Sequence, residues 1–190
     1  MRAEYENVLD DHLGQIHFTY VNTWDELLPA HWHEHLEIIY VLGGEITASI
    51  NDVSYELEKG DIFLVNSNDI HYTYTHEDAR YYLLQIPPVH LERISAKWKG
   101  LKFQELIRSK SADACVQGEQ LENVQGKGLV EMRENRKSTN RADDLYDQLR
   151  DVFRKIAGFY EEKKEGYHLL VLSAVYRLLY FLYTEGIRSE

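Results

Sequence analysis

The chain has 190 residues and a net charge of −11, with apolar (44%) and charged (28%) fractions that exclude a disordered polymer. Residues 1–100 carry 17 acidic and 6 basic side chains, and the remainder carries 15 of each, so the acidic excess lies wholly in the first half. Such a half repels phosphate, which excludes the electrostatic footprint of a DNA- or RNA-binding surface.

A single cysteine, Cys115, rules out an intramolecular disulfide and fits a reducing cytoplasm. The first fifteen residues are acidic and lack an apolar stretch, so no cleavable leader is read there. The most apolar run, Leu169 to Tyr183, is interrupted by Arg177 and too short to span a bilayer. A cytoplasmic protein without a membrane segment is expected.

Residues 1–14 are polar and without period, and read as an arm. Gln15 to Val21 is β-rich and predicts a first strand, followed by a loop from Asn22 to Pro29. A histidine-rich strand starts at His31, and further strands are predicted over Glu45–Ile50, Val53–Leu57, Ile62–Val65, Ile70–Thr75 and Arg80–Ile86. Turns fall at Asn51-Asp52, at Lys59-Gly60 and at Asn66 to Asp69. Many short strands with frequent turn signals predict a closed all-β sandwich or barrel, and no segment offers a βαβ crossover.

Within His31-Trp32-His33-Glu34-His35-Leu36-Glu37, strand alternation puts His31, His33, His35 and Glu37 on one face. His71 opens a later strand, so three or four imidazoles and a carboxylate are expected to meet inside an apolar barrel. Trp32 has the opposite parity and should point outward. Tyr81 and Gln85 share a parity and are expected to line the same pocket.

Pro87-Pro88 ends the strand region. A helical pattern is predicted from Val89 to about Arg108, broken at Gly100, and residues 109–140 show little periodicity. Leu145, Leu149, Val152, Phe153, Ile156, Phe159 and Tyr160 form one helical stripe, with Asn140 as its expected cap. Gly166 separates this helix from a second, apolar nearly all round, which together predict an antiparallel hairpin. One partner helix cannot cover so much apolar surface, so the barrel or a second subunit must share it. A dimer joined there would be split by Leu172→Glu together with Leu179→Glu. The domains are drawn as residues 1–88, arm and barrel, and 89–190, helical linker and dimerisation helices.

The histidine-rich stretch resembles the first cupin motif through His31, His33, Glu37 and Gly44, with Asp25 where that motif begins on Gly. Gly60 and His71 resemble the second motif, while Asn66, Asn68 and Thr75 stand where it has Pro, Gly and Asn. Asn tolerates left-handed backbone nearly as Gly does, so the turn is expected to survive. With the helical pair behind it, the chain is similar to the sensor half of AraC/XylS-type transcription regulators. That resemblance implies a mainly β fold with α, a double-stranded β-helix or jelly-roll barrel followed by a C-terminal helical hairpin. It also implies a small-molecule effector such as a sugar, an arm that responds to it, and a homodimer through the C-terminal helices. In that family a basic pair of helix-turn-helix motifs follows, whereas this sequence stops at Glu190. The expectation is a piece of a regulator, or a member without the DNA-binding part, that reaches DNA only through a region not present here.

His31, His33, Glu37 and His71 have cupin spacing for a divalent ion such as Zn, Ni, Fe or Mn. The competing reading has them hydrogen-bond one another and an organic ligand, with His35, Tyr81 and Gln85, and no metal. No nucleophile elbow or phosphate loop is present, and Cys115 has no CxxC partner, so no catalytic residue is assigned. The reading is a non-enzyme sensor. The alternative is a metal-dependent cupin isomerase or dioxygenase.

Overall fold

The computed structural model describes residues 3–8, 15–94, 98, 100–108 and 141–186. Cys115, Asn140 and the aperiodic segment 109–140 lie outside the described residues. The strands are β1 (Glu4–Tyr5), β2 (His17–Trp32), β3 (Leu36–Ile50), β4 (Val53–Leu57), β5 (Ile62–Val65), β6 (His71–Ile86) and β7 (Leu106–Ile107). The helices are α1 (Pro88–Ile94), α2 (Arg141–Glu162) and α3 (Tyr167–Glu185).

The sheet runs in the order β1-β2-β6-β3-β5-β7, with β4 on the far half of β3. β1 is parallel to β2 and the other pairs are antiparallel. The fold is a cupin-type double-stranded β-helix followed by a helical hairpin, mainly β with α. Its three long strands bend at irregularities and so serve both halves of the curl. Around Gly43 and Gly44 the register of β3 on β6 slips twice. Gly44 sits at φ +78°, and a Cβ there would lie 2.2 Å from the Asp78 carbonyl oxygen. Only glycine fits both the angle and the approach.

These bends correct the strand boundaries read from sequence. The loop expected over Asn22–Pro29 is part of β2, with register shifts between Trp24 and Glu26 and between Leu28 and His31. Pro29 falls inside the second shift, where a missing amide breaks no regular ladder bond. The separate strands at 70–75 and 80–86 are one strand, β6. Of the helical pattern expected to reach Arg108, the described residues show α1 over Pro88–Ile94, while Leu106–Ile107 is strand and pairs with Ile62 and Phe63 on the open side of β5. Pairing with an exposed ladder outweighs helical propensity in so short a segment.

Two cores result. Ile39, Val41, Ile46, Ala48, Phe63, Val65 and Ala79 fill the barrel interior. On the outer face Phe18, Ile38, Tyr40, Leu64, Leu84 and Ile86 join Leu149, Phe153, Ile156, Val175, Leu178 and Leu182 of the hairpin in one continuous core. The barrel is therefore the surface that covers α3. Leu179 is fully buried in that core, so its side chain is not offered to a second subunit, and Leu172 packs partly against the same core. The exposed apolar residues of α3 are instead Leu169, Leu170, Tyr176, Tyr180 and Tyr183. No helix among the described residues is long and apolar enough to cross a membrane.

Candidate ligand and metal site

The end of β2 and the start of β6 are paired through His31 and His71, and the bend at residues 33–35 carries the chain from β2 into β3. His31, His33, Glu37, His71 and Gln85 thereby meet, all buried, His33 at 1% exposure and His71 at 2%. One ligand-capable nitrogen of each of His31, His33 and His71 lies within 4.8 Å of the others. Gln85 faces Glu37 across the β3–β6 pair and donates its amide to Oε2 at 2.9 Å.

Backbone carbonyls fix how the rings point. His31 Nδ1–H donates to the Pro29 carbonyl (2.8 Å), His33 Nδ1–H to that of His35 (3.2 Å) and His71 Nδ1–H to that of Asp69 (3.0 Å). A carbonyl only accepts, so each Nδ1 carries a proton; the Nε2 lone pairs of His31 and His71 are left for the centre, whereas His33 Nε2 carries a second proton while it donates to Glu37 Oε2 at 3.0 Å. Carbonyl partners of this kind orient metal-ligating imidazoles in general.

The electrostatics agree. Burial pulls the His71 imidazole below its usual range despite the Glu37 charge, and its Nε2 has no hydrogen-bond partner among the described residues. Burial works against charge on His33 too, but the Glu37 carboxylate 3.0 Å from Nε2, with Glu6 behind it, holds that ring above the usual value. Glu37 is desolvated, yet the bond from His33, the charges of His71 and His33 and the Gln85 bond keep its carboxyl well below the ordinary range. Two imidazoles with Nε2 lone pairs, a third that offers one once an ion displaces its proton, and a carboxylate are the donors a divalent ion takes. The residues present fit a metal.

The other expected residues are placed differently. His35 is half-buried with its ring 5.9 Å from that of His33, and its carbonyl holds His33. Tyr81 packs against the barrel core, and burial, with the charges of Glu37 and Glu26, pushes its phenol up to about 12. It is a neutral hydroxyl at every physiological pH. Trp32 is half-buried and meets the ring of Tyr5 edge-on at 4.9 Å.

Sequence reasoning missed Glu6. The Glu6 amide donates to the Trp32 carbonyl at 3.0 Å, extending β1, and its carboxylate Oε2 reaches 3.6 Å from His31 Nε2 and 3.8 Å from His33 Nε2. No spacing rule ties residue 6 to residue 31, so no signal in the sequence could have found it. Beside the cluster lie a pocket of about 590 Å³ bordered by Leu27, Ser49, Ile70 and His71 and one of about 480 Å³ bordered by Tyr5, Glu6 and His31. Both are in the range of small-molecule sites.

Fold and site together define a ligand-binding domain of cupin type. The family model for the AraC-like ligand binding domain matches residues 14–179. The chain belongs to that family. No curated protein matches it. Among solved structures it is similar to a conserved protein of unknown function from Streptococcus pyogenes (16% identity, 38% of this chain and 65% of that one, TM-score 0.37). It is also similar to an RmlC-like cupin from Shewanella frigidimarina (22%, 37% and 66%, TM-score 0.34). A third is a predicted oxalate decarboxylase from Thermotoga maritima (22%, 37% and 64%, TM-score 0.35). The matched parts thus span under two thirds of these proteins' own lengths.

Proposed function

We propose that this domain senses a small-molecule effector for a transcription regulator, and that the effector binds at the buried end of the barrel. The observation that carries this is the convergence of three Nε2 atoms, oriented by carbonyls, beside Glu37 and Gln85 and two pockets. His31, His33, Glu37 and His71 would hold a divalent ion such as Zn, Ni, Fe or Mn. Such an ion supplies a Lewis-acid anchor for an oxygen of the effector, for example a sugar hydroxyl. Gln85 orients Glu37 through its amide. The family membership, which covers most of the chain, supports binding without turnover over a cupin isomerase or dioxygenase.

The same reading has two copies associate through the outer side of α3, where Leu169 (63% exposed), Leu170 and Tyr180 (62%) lie uncovered. An exposed apolar face on a helix packed by its other side suits such an association. DNA contact would come through a region other than these residues. Metal analysis of protein purified without chelator tests the site, with about one ion per chain expected and a loss of it in His71→Ala. Wild-type protein that retains no ion and takes up none on dialysis would remove the metal, leaving a purely hydrogen-bonded effector site.

A further inference from the structure

The carboxylate of Glu6 has no role in the barrel as described so far, and its position is unusual. Oε2 is buried and has no hydrogen-bond partner among the described residues. Its nearest polar neighbours are the Nε2 atoms of His31 and His33 at 3.6 and 3.8 Å, too distant for direct hydrogen bonds. A second orphan, in the histidine cluster itself, is His71 Nε2. Two buried, unpartnered polar atoms beside the same pair of histidines each carry a desolvation cost unless something satisfies them.

The geometry points to Glu6 as a ligand of the ion held by the three histidines. This rests on the metal reading above and adds to it a carboxylate from outside the barrel strands. Donors about 2.1 Å from one ion and 90–109° apart stand roughly 3.0–3.4 Å from each other. The Glu6 to histidine separations exceed that by a few tenths of an ångström, within reach of a side-chain rotation. Glu37 is tied differently. Its Oε2 already takes the Gln85 amide and His33, and its Oε1 stands 3.9 Å from His71 Nε2. Glu6 has no such competing partner.

The consequence concerns β1. That strand is held by a short parallel pairing with His31 and Trp32, the Glu6 amide bond and the Tyr5–Trp32 ring contact. Two paired residues are a weak attachment. A metal–carboxylate bond would be its strongest tie, so loading the ion and seating residues 3–8 are one linked equilibrium.

The test titrates apoprotein with Co²⁺, read by visible absorption, and follows amide exchange of the peptide spanning Ala3–Val8. In the wild type cobalt should bind and slow exchange of that peptide. In Glu6→Gln affinity should fall at least about tenfold, and bound cobalt should no longer protect the peptide. Glu6 follows the short outer strand β1 and lies outside both cores, so the variant should keep its thermal midpoint, and deletion of residues 1–7 should reproduce its affinity. Wild-type affinity and spectrum in Glu6→Gln would overturn the inference while leaving the metal site standing. Absence of cobalt binding in the wild type would overturn both.

Discussion

Asn66 and Phe103 hold each other through a reciprocal pair of bonds. The Phe103 amide donates to Asn66 Oδ1 at 2.7 Å, and Asn66 Nδ2 donates to the Phe103 carbonyl at 3.2 Å. Asn66 is almost wholly buried, so its amide does for the segment before β7 what a ladder partner would do. The proline that the second cupin motif places here could do neither. Asn66→Ala strips two bonds and orphans two buried backbone groups, which should cost roughly 2–4 kcal/mol in denaturant unfolding. A loss under about 0.5 kcal/mol would mean that the pair carries no weight.

Gly44 makes a sharper case. Its left-handed backbone and the Asp78 carbonyl 2.2 Å from the site of a Cβ leave no room on either count. Gly44→Ala should lower the unfolding free energy by more than about 2 kcal/mol, or abolish soluble expression. Gly158, with open space around its Cβ position, is the control, and Gly158→Ala should be neutral or stabilising.

Tyr81 predicts an alkaline effect. Its phenol loses its proton near 12 in the folded barrel, raised first by burial and then by Glu37 and Glu26, against about 10 in an unfolded chain. For an acid with a raised folded pKa, stability falls as pH climbs from the unfolded value towards the folded one. Between pH 9 and 10.5 this group should account for about 0.8 kcal/mol of lost stability. Tyr81→Phe should remove that part of the slope, measured by urea unfolding at each pH.

The outer side of α3 and its inner side should respond in opposite ways to charge. Leu169→Glu with Tyr180→Glu places carboxylates on exposed positions and should halve the mass seen by light scattering, with the thermal midpoint unchanged apart from the lost association. Leu179→Glu buries a charge in the shared core and should cost several kcal/mol irrespective of oligomeric state. A double variant that keeps the dimer mass would exclude this face as the interface.

What the sequence disclosed follows local chemistry. Asn51-Asp52 reads as a two-residue turn and is one, with both residues at positive φ. Asn68 takes the left-handed conformation at φ 66° that lets it stand in for glycine. The alternation that groups His31 with His33 fails at residues 33–35, where a bend replaces strand and turns His35 aside. Pro29 and Gly43-Gly44 read as strand ends because punctuation residues look alike in a turn and in a bulge. The pairing of Leu106–Ile107 with β5, and of Glu6 with the histidines, depends on contacts between remote segments. Local pattern carries no trace of those.

Glu37 and Gln85 each sit between two residues that face the other way. Leu36 and Ile38 flank Glu37, Leu84 and Ile86 flank Gln85, and all four belong to the core that holds α2 and α3. A pleated strand is rigid across its thickness, so whatever pulls on the polar side is felt by its apolar neighbours one residue along. An occupant at the inner end would therefore act, through the barrel wall, on the seat on which the hairpin rests.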